Sequence, residues 1–324
     1  MLPIQFNRVL PVFRLFSIPL LVTASLFSSA QAHAEIEVLT SIKPLQLIAA
    51  AVQDGVGKPA VLLPPGASAH HYALRPSDVR HVRSADLLYW IGPDMEGFLE
   101  PVLKGRKGSS LAVQSLPGLT LRHFGDAHDA SHGHDEPATA DHHEHDHAHR
   151  PGSLDAHLWL LPANAEVIAV RMAGDLAAVD PANAPRYQAN LEAFRQRLGE
   201  LDKRLQARLS SIGNKPFFVF HEAYDYFEAA YGLEHTGVFS AGGEAQPGAR
   251  HVAEMRQRLE QAGPSCVFHE PPARPRLASA LVRGLPAKVA ELDAMGHGID
   301  ANADGYARLI ENLGTSLAEC VESL

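Results

Sequence analysis

Cysteine is almost absent from this chain: two residues in 324, alongside two tryptophans and only 20% charged residues. One disulfide is the most such a chain can form within itself. Basic residues are also scarce. Lys and Arg number 28 against 37 Asp and Glu, a net charge of −9. That balance argues against nucleic acid, whose phosphates need a basic surface, and against an anionic membrane surface. Beyond the N-terminal segment there is no run of 18 apolar residues, and so no membrane span. No G-x-S-x-G elbow, Walker A loop or G-x-G-x-x-G fingerprint occurs. Glycine and proline stay near ordinary levels and 46% of residues are hydrophobic, which excludes collagen-like and fully disordered chains. The abundant residue is histidine, with 19 in all. Many of these cluster between His123 and His149.

The N-terminus carries Arg8 and Arg14, an apolar run from Leu15 to Leu26, and the small-residue stretch Ala30-Gln31-Ala32-His33-Ala34. This pattern describes a secretory signal peptide over residues 1–34, cut after Ala32 or Ala34. The alternative is an uncleaved anchor, for which the apolar run is short and broken by Pro19. The segment holds no cysteine, so a lipid anchor at the cleavage site is excluded. An exported, soluble, non-lipidated chain is expected. In an oxidising compartment Cys266 and Cys320 suit one disulfide, closing a loop of about 55 residues and worth on the order of 4 kcal/mol. Two buried free thiols are the alternative.

Short β-rich runs alternate with helical patterns. The strand candidates are Ile36–Ser41, Pro59–Leu63, Leu87–Ile91, Leu111–Gln114, Phe217–Phe220, Gly237–Phe239, Cys266–His269 and Lys288–Leu292. Helix signals fall at Pro44–Val56, Pro76–Ser84, Ala249–Ala262 and Arg274–Arg283. Such alternation predicts an α/β fold with mostly parallel sheets. Two segments interrupt it. His123–Arg150 is rich in His, Asp and Glu and nearly without large apolar residues, so it reads as an insertion loop. Pro181–Ile212 repeats an apolar residue every three or four positions from Tyr187 to Ile212, which predicts one long amphipathic helix. The expected organisation is an N-terminal α/β lobe over 35–180, a stiff connecting helix over 181–212 and a C-terminal α/β lobe over 213–324. A single α/β domain with one long helix is the alternative.

Three histidines outside the loop stand where a ligand could be received. His70 follows a strand candidate within the turn Pro64-Pro65-Gly66, and His221 directly follows Phe217–Phe220. Carboxyl ends of strands are where open α/β sheets collect ligands. Asp293 has the same placement after Lys288–Leu292. His157 is marked only by its neighbourhood, just past the His-rich loop. Three imidazoles and one oxygen suit Zn²⁺, whereas calcium and magnesium prefer oxygen and manganese sites mix in more carboxylate. The loop histidines His142, His143, His145, His147 and His149 sit among carboxylates on a segment that must order itself around each metal, so they form a low-affinity collector. Enzyme signals are poor. His221-Glu222-Ala223-Tyr224-Asp225 has Asp in place of the second His of H-E-x-x-H. His269-Glu270-Pro271-Pro272 cannot be helical and reads as structural.

These segments, in order, resemble the metal-binding proteins of zinc and manganese ABC importers. The first is Pro65-Gly66-Ala67-Ser68-Ala69-His70-His71-Tyr72, followed by Arg75-Pro76-Ser77-Asp78. The others are His157-Leu158-Trp159-Leu160, Phe218-Val219-Phe220-His221-Glu222-Ala223-Tyr224, Gln246-Pro247-Gly248 and Cys266–Pro271. The His-rich insertion and the cysteine pair are similar to the zinc branch, the ZnuA type of Gram-negative bacteria. The resemblance implies two lobes joined by a long rigid helix, with the metal between them. It implies His70 and His157 from the first lobe, His221 from the second, and Asp293 at the family's C-terminal acidic position. Many zinc members carry Glu where this chain has Ala69, so water, Asp293 or a loop histidine could fill the fourth position. It further implies a monomeric periplasmic zinc-capture protein without enzymatic activity that serves an inner-membrane permease. An exported zinc hydrolase using Glu222, or a periplasmic zinc store, is the alternative.

Overall fold

The computed structural model describes residues 36–125, 152–213, 215–240, 248–272 and 276–324. Residues 1–34 and the histidines His142, His143, His145, His147 and His149 lie outside the described residues, as do Gln246 and Pro247.

The N-terminal half builds a sheet from β1 (Val38–Thr40), β2 (Ala60–Val61), β3 (Leu87–Trp90) and β4 (Ser109–Ala112). The C-terminal half builds a second sheet from β5 (Phe217–His221), β6 (Gly237–Ser240), β7 (Ser265–His269) and β8 (Ala287–Glu291). Their orders are β2-β1-β3-β4 and β6-β5-β7-β8. Every pairing is parallel. Parallel neighbours need crossovers, and helices supply them. In the first half these are α1 (Lys43–Val52), α2 (Pro76–Ser84), α3 (Pro93–Glu96) and α4 (Glu100–Leu103). Then come α5 (Pro162–Val179) and α6 (Ala184–Leu209). The second half adds α7 (Asp225–Tyr231), α8 (Ala249–Ala262), α9 (Arg276–Leu281) and α10 (Gly305–Glu322).

The repeated strand order has a consequence for ligand binding. In each sheet the chain first moves to one side of the starting strand and then crosses to the other. The switch point falls between β1 and β3 in the first sheet and between β5 and β7 in the second. A crevice opens at such points, beyond the carboxyl ends of the strands.

Helix α6 has 26 residues and so runs about 39 Å. Tyr187, Leu191, Phe194, Leu198, Leu201, Leu205 and Leu209 form its buried stripe. It packs on α1 and α5 from the first half and on α7 and α10 from the second. At the α10 contact a side chain on Gly314 would meet Leu205 Cδ2 at 2.5 Å, so a larger residue there would force Leu205 to shift. One apolar cluster runs from Leu39 and Leu88 through Trp159 and Phe194 to Val219 and Phe268. Polar pins cross it. Trp159 Nε1 donates to the Ala294 carbonyl at 2.9 Å, and the Tyr306 hydroxyl donates to the Trp159 carbonyl at 2.6 Å. The Cys266–Cys320 disulfide ties β7 to α10.

Two expectations are adjusted. The strand expected at Leu111–Gln114 is β4, two residues earlier. Its ladder ends at Ala112, and Val113–Ser115 turns into a single 3-10 turn whose Gln114 N–H bonds the Ile91 carbonyl. At the start of the His-rich insertion, His123 makes an antiparallel bridge with Leu154 and Phe124 is buried.

Candidate metal centre

His70 rides on the turn after β2. Gly66 takes φ +79°, a conformation other residues avoid, and a Cβ there would lie 2.7 Å from Pro272 Cγ. Ser68 Oγ accepts the backbone N–H groups of His70 and His71, at 3.2 and 3.0 Å. The far end of the segment is tied to α2, where Asp78 Oδ2 accepts from Arg75 N–H at 2.8 Å and from the Tyr72 hydroxyl at 3.0 Å. His157 precedes the 3-10 turn Leu158–Leu160. His221 is the last residue of β5.

The chain brings these three together. Their ligand atoms lie within 4.8 Å of one another. Ring centroids are 5.4 Å apart for His70 and His157, 5.8 Å for His70 and His221, and 4.8 Å for His157 and His221. His157 and His221 are buried; His70 is half-buried and opens onto a cleft of about 670 Å³, where His71, Tyr72 and Asp94 also stand.

The protonation pattern at His157 follows from its neighbours. Asp155 Oδ1 accepts the His157 backbone N–H at 3.0 Å and faces His157 Nδ1 at 2.7 Å. An ionised carboxylate can only accept, so with Asp155 ionised Nδ1 holds the ring proton and Nε2 keeps its lone pair. Burial, and after it the charge of His221, holds the His157 pKa well below its ordinary value. The ring is therefore neutral, the form that ligates metal. Burial pushes the Asp155 carboxyl up to about 7, against the opposing pull of the His157 N–H, His221 and Arg122. His157 Nε2 faces His70 Nε2 at 3.4 Å. Two nitrogens on one tetrahedral zinc, each bound at about 2.0–2.1 Å, stand roughly 3.4 Å apart. The spacing fits zinc.

Asp293 is placed differently. Its Oδ1 accepts from Met295 N–H and Gly296 N–H at 3.0 and 2.9 Å, and faces His297 Nδ1 at 3.0 Å. Its Oδ2 accepts from His297 N–H at 2.6 Å. The carboxylate is spent on its own turn, and it is not a member of the three-histidine group.

A second group, Asp225, Glu228 and His235, was not foreseen from sequence. Gly232 ends α7 in the left-handed conformation and turns the chain back, so His235 Nδ1 meets both Glu228 oxygens at 3.0 Å. Burial alone would lower the His235 pKa. Glu228, then Asp225 and Glu222, more than offset that and raise it to about 9. This is a buried ion pair that anchors the α7–β6 turn. The near-match to H-E-x-x-H dissolves for the same structural reason: His221 ends a strand, while Asp225 opens a helix and joins the Glu228 and His235 pair.

Residues 38–320 match the family described as ZnuA, zinc-uptake complex component A, periplasmic. The chain belongs to this family. Among its relatives, the high-affinity zinc uptake system protein ZnuA of Yersinia pestis is 38% identical over 312 residues, which cover 94% of this chain and 96% of that protein. The protein of the same name in Brucella abortus is 35% identical over 306 residues, covering 88% of this chain and 91% of the relative. Solved structures of like fold include a crystal structure of ZnuA, with TM-score 0.71, 22% identity, and coverage of 89% of this chain and 100% of that one. A Zn(II)-bound mutant variant of AdcAII of Streptococcus pneumoniae gives TM-score 0.70, 22% identity, and coverage of 88% and 98%. The ZnuA family is a solute-binding family of a transport system, not an enzyme family.

Proposed function

We propose that this chain is the periplasmic zinc-binding component of a zinc ABC importer, and that His70, His157 and His221 hold the Zn²⁺ it carries. The observation that carries this reading is the convergence of three imidazoles from both halves of the chain, with ligand atoms within 4.8 Å of one another and one Nε2–Nε2 pair at the 3.4 Å that zinc requires. Imidazoles, which are neutral once they bind the ion, supply the donors, and burial of His157 and His221 keeps water from competing on the inner side. His70 faces the cleft and is the ligand an incoming ion meets first.

Because the ligands come from both halves, affinity depends on how the halves sit. An inner-membrane permease that favours an arrangement with His221 drawn away from His70 and His157 lowers the affinity and releases the ion. The chain acts as a soluble monomer after its signal segment is cut at Ala32 or Ala34. Among the described residues no helix is long and apolar enough to cross a membrane. The loop histidines serve as a weak collector, and Asp293 contributes through the turn it organises.

The test is zinc-limited growth of a cell lacking its own periplasmic zinc-capture protein. The wild-type chain restores growth in the presence of a zinc chelator, and the combined His70→Ala, His157→Ala, His221→Ala variant does not. Equal restoration by that variant, exported at the same level, would overturn the assignment.

A further inference from the structure

The segment after β7 was expected to be purely structural, because Pro271-Pro272 rules out a helix. Its placement says more. β5 and β7 are adjacent and in register, with Val219 opposite Phe268. His221, the last residue of β5, and Glu270, the first residue past β7, therefore flank the switch point of the second sheet. Glu270 Oε2 lies 3.5 Å from His221 Nδ1. The Tyr224 hydroxyl, which donates to the Leu292 carbonyl at 2.7 Å, lies beside the same carboxylate. The other oxygen, Oε1, is buried and accepts no hydrogen bond among the described residues. Glu270 is not a member of the group of ligand atoms within 4.8 Å.

We infer that Glu270 is a positioning residue for zinc binding: it accepts the Nδ1 proton of His221 and so presents Nε2 to the ion. The inference rests on the zinc-site reading above.

A metal-bound imidazole needs its far nitrogen fixed, since that bond sets both the tautomer and the ring plane. Asp155 does this for His157 at 2.7 Å. Glu270 stands in the equivalent place behind His221, about half an ångström beyond a normal hydrogen bond. A small side-chain adjustment closes that gap. Three neutral imidazoles leave the charge of Zn²⁺ uncompensated in a largely buried site, and burying charge is costly unless it is balanced. Asp155 and Glu270 are two carboxylates, one behind each buried ligand, and they balance the dication. Glu270 also sits on a junction. Two residues on, Pro272 Cγ fills the space where a side chain on Gly66 would be, in the turn that carries His70. One short segment therefore braces the ligand of the second sheet and abuts the loop bearing a ligand of the first.

The experiment compares wild type, Glu270→Gln and Glu270→Ala in the exported chain. Zinc affinity is read by chelator competition, melting temperature is read without metal, and the visible spectrum is read with Co²⁺ in place of zinc. The expected result for Glu270→Ala is a 10- to 100-fold loss of zinc affinity. Its metal-free melting temperature should stay near wild type and its Co²⁺ bands should keep tetrahedral intensity. Glu270→Gln keeps an acceptor but not the charge, and should recover part of the loss. Affinity within twofold of wild type in both variants overturns the inference. So does collapse of the Co²⁺ bands in Glu270→Ala, which would make the carboxylate itself a ligand. Should Glu270→Ala fail to fold, Glu270→Gln decides alone: a several-fold loss supports the inference and an unchanged affinity refutes it. A wild-type chain without a tight zinc site sinks the zinc reading itself, which separates that failure from this one.

Discussion

Replacing Asp155 by asparagine should weaken zinc binding and leave the fold in place. Asp155 is fully buried, and its Oδ1 holds both the backbone N–H and Nδ1 of His157. Asparagine has the same shape and keeps one acceptor oxygen, so the His157 ring can stay where it is. What it loses is the charge. With Nδ1 2.7 Å from the carboxylate, an ion bound at Nε2 lies on the order of 6–7 Å from that charge. The gross attraction between a single negative charge and a dication at that distance is about 5 kcal/mol in a medium of effective dielectric 20. Part of it is offset by the cost of keeping the carboxylate ionised in a buried place. Changes behind a metal-bound histidine typically cost 10- to 100-fold in affinity, or about 1.4–2.7 kcal/mol, and that is the expected range. Chelator competition at pH 8 reads the affinity, and circular dichroism without metal checks the fold. An Asp155→Asn chain that folds normally and binds zinc as tightly as wild type would refute the reasoning, because it would make the buried carboxylate irrelevant to the ion.

Other consequences follow from the same structure. Exchanging both Cys266 and Cys320 for serine frees a span of 54 residues and should cost about 4 kcal/mol in the chain-entropy model. Calorimetry should show a fall of roughly 10 °C with zinc affinity retained, and an unchanged melting temperature would count against the bridge as a staple. The His235 ion pair makes a pH-dependent contribution. The folded pKa is pushed up to about 9, above an ordinary value of 6.5. Its stabilisation is therefore complete below about pH 6.5 and is lost as pH rises through about 9. A shift of that size corresponds to about 3 kcal/mol. The difference in melting temperature between wild type and His235→Gln should be largest near pH 6 and shrink towards pH 10; a difference that grows with pH would contradict the assignment of charge.

Much of the fold was legible because apolar runs and prolines mark its elements. Pro76 opens α2 and Phe217–Phe220 is almost purely apolar, so both elements lie where the pattern puts them. Helix α5 escaped notice because its buried face is built partly from alanines, among them Ala165, Ala169 and Ala173, which leave little periodic contrast. Helix α7 is only seven residues long and follows a strand closely. The three histidines were legible from their positions near strand ends and along the chain. The strand-end rule also selected Asp293, but it could not register that Met295, Gly296 and His297 offer N–H groups to the same carboxylate. Glu270 and the His235 cluster depend on which strands become neighbours and on a left-handed glycine. Those are long-range facts that local spacing does not carry.

In the proposed site one zinc ion is held by His70, His157 and His221 together. The deciding measurement is zinc titration of His70→Ala, His157→Ala and His221→Ala, each beside His81→Ala as a control at an exposed histidine of α2. One tight equivalent is expected in wild type and in His81→Ala, and its loss or severe weakening in each of the other three. If all three retain the tight equivalent unchanged, the site lies elsewhere and the claim is wrong.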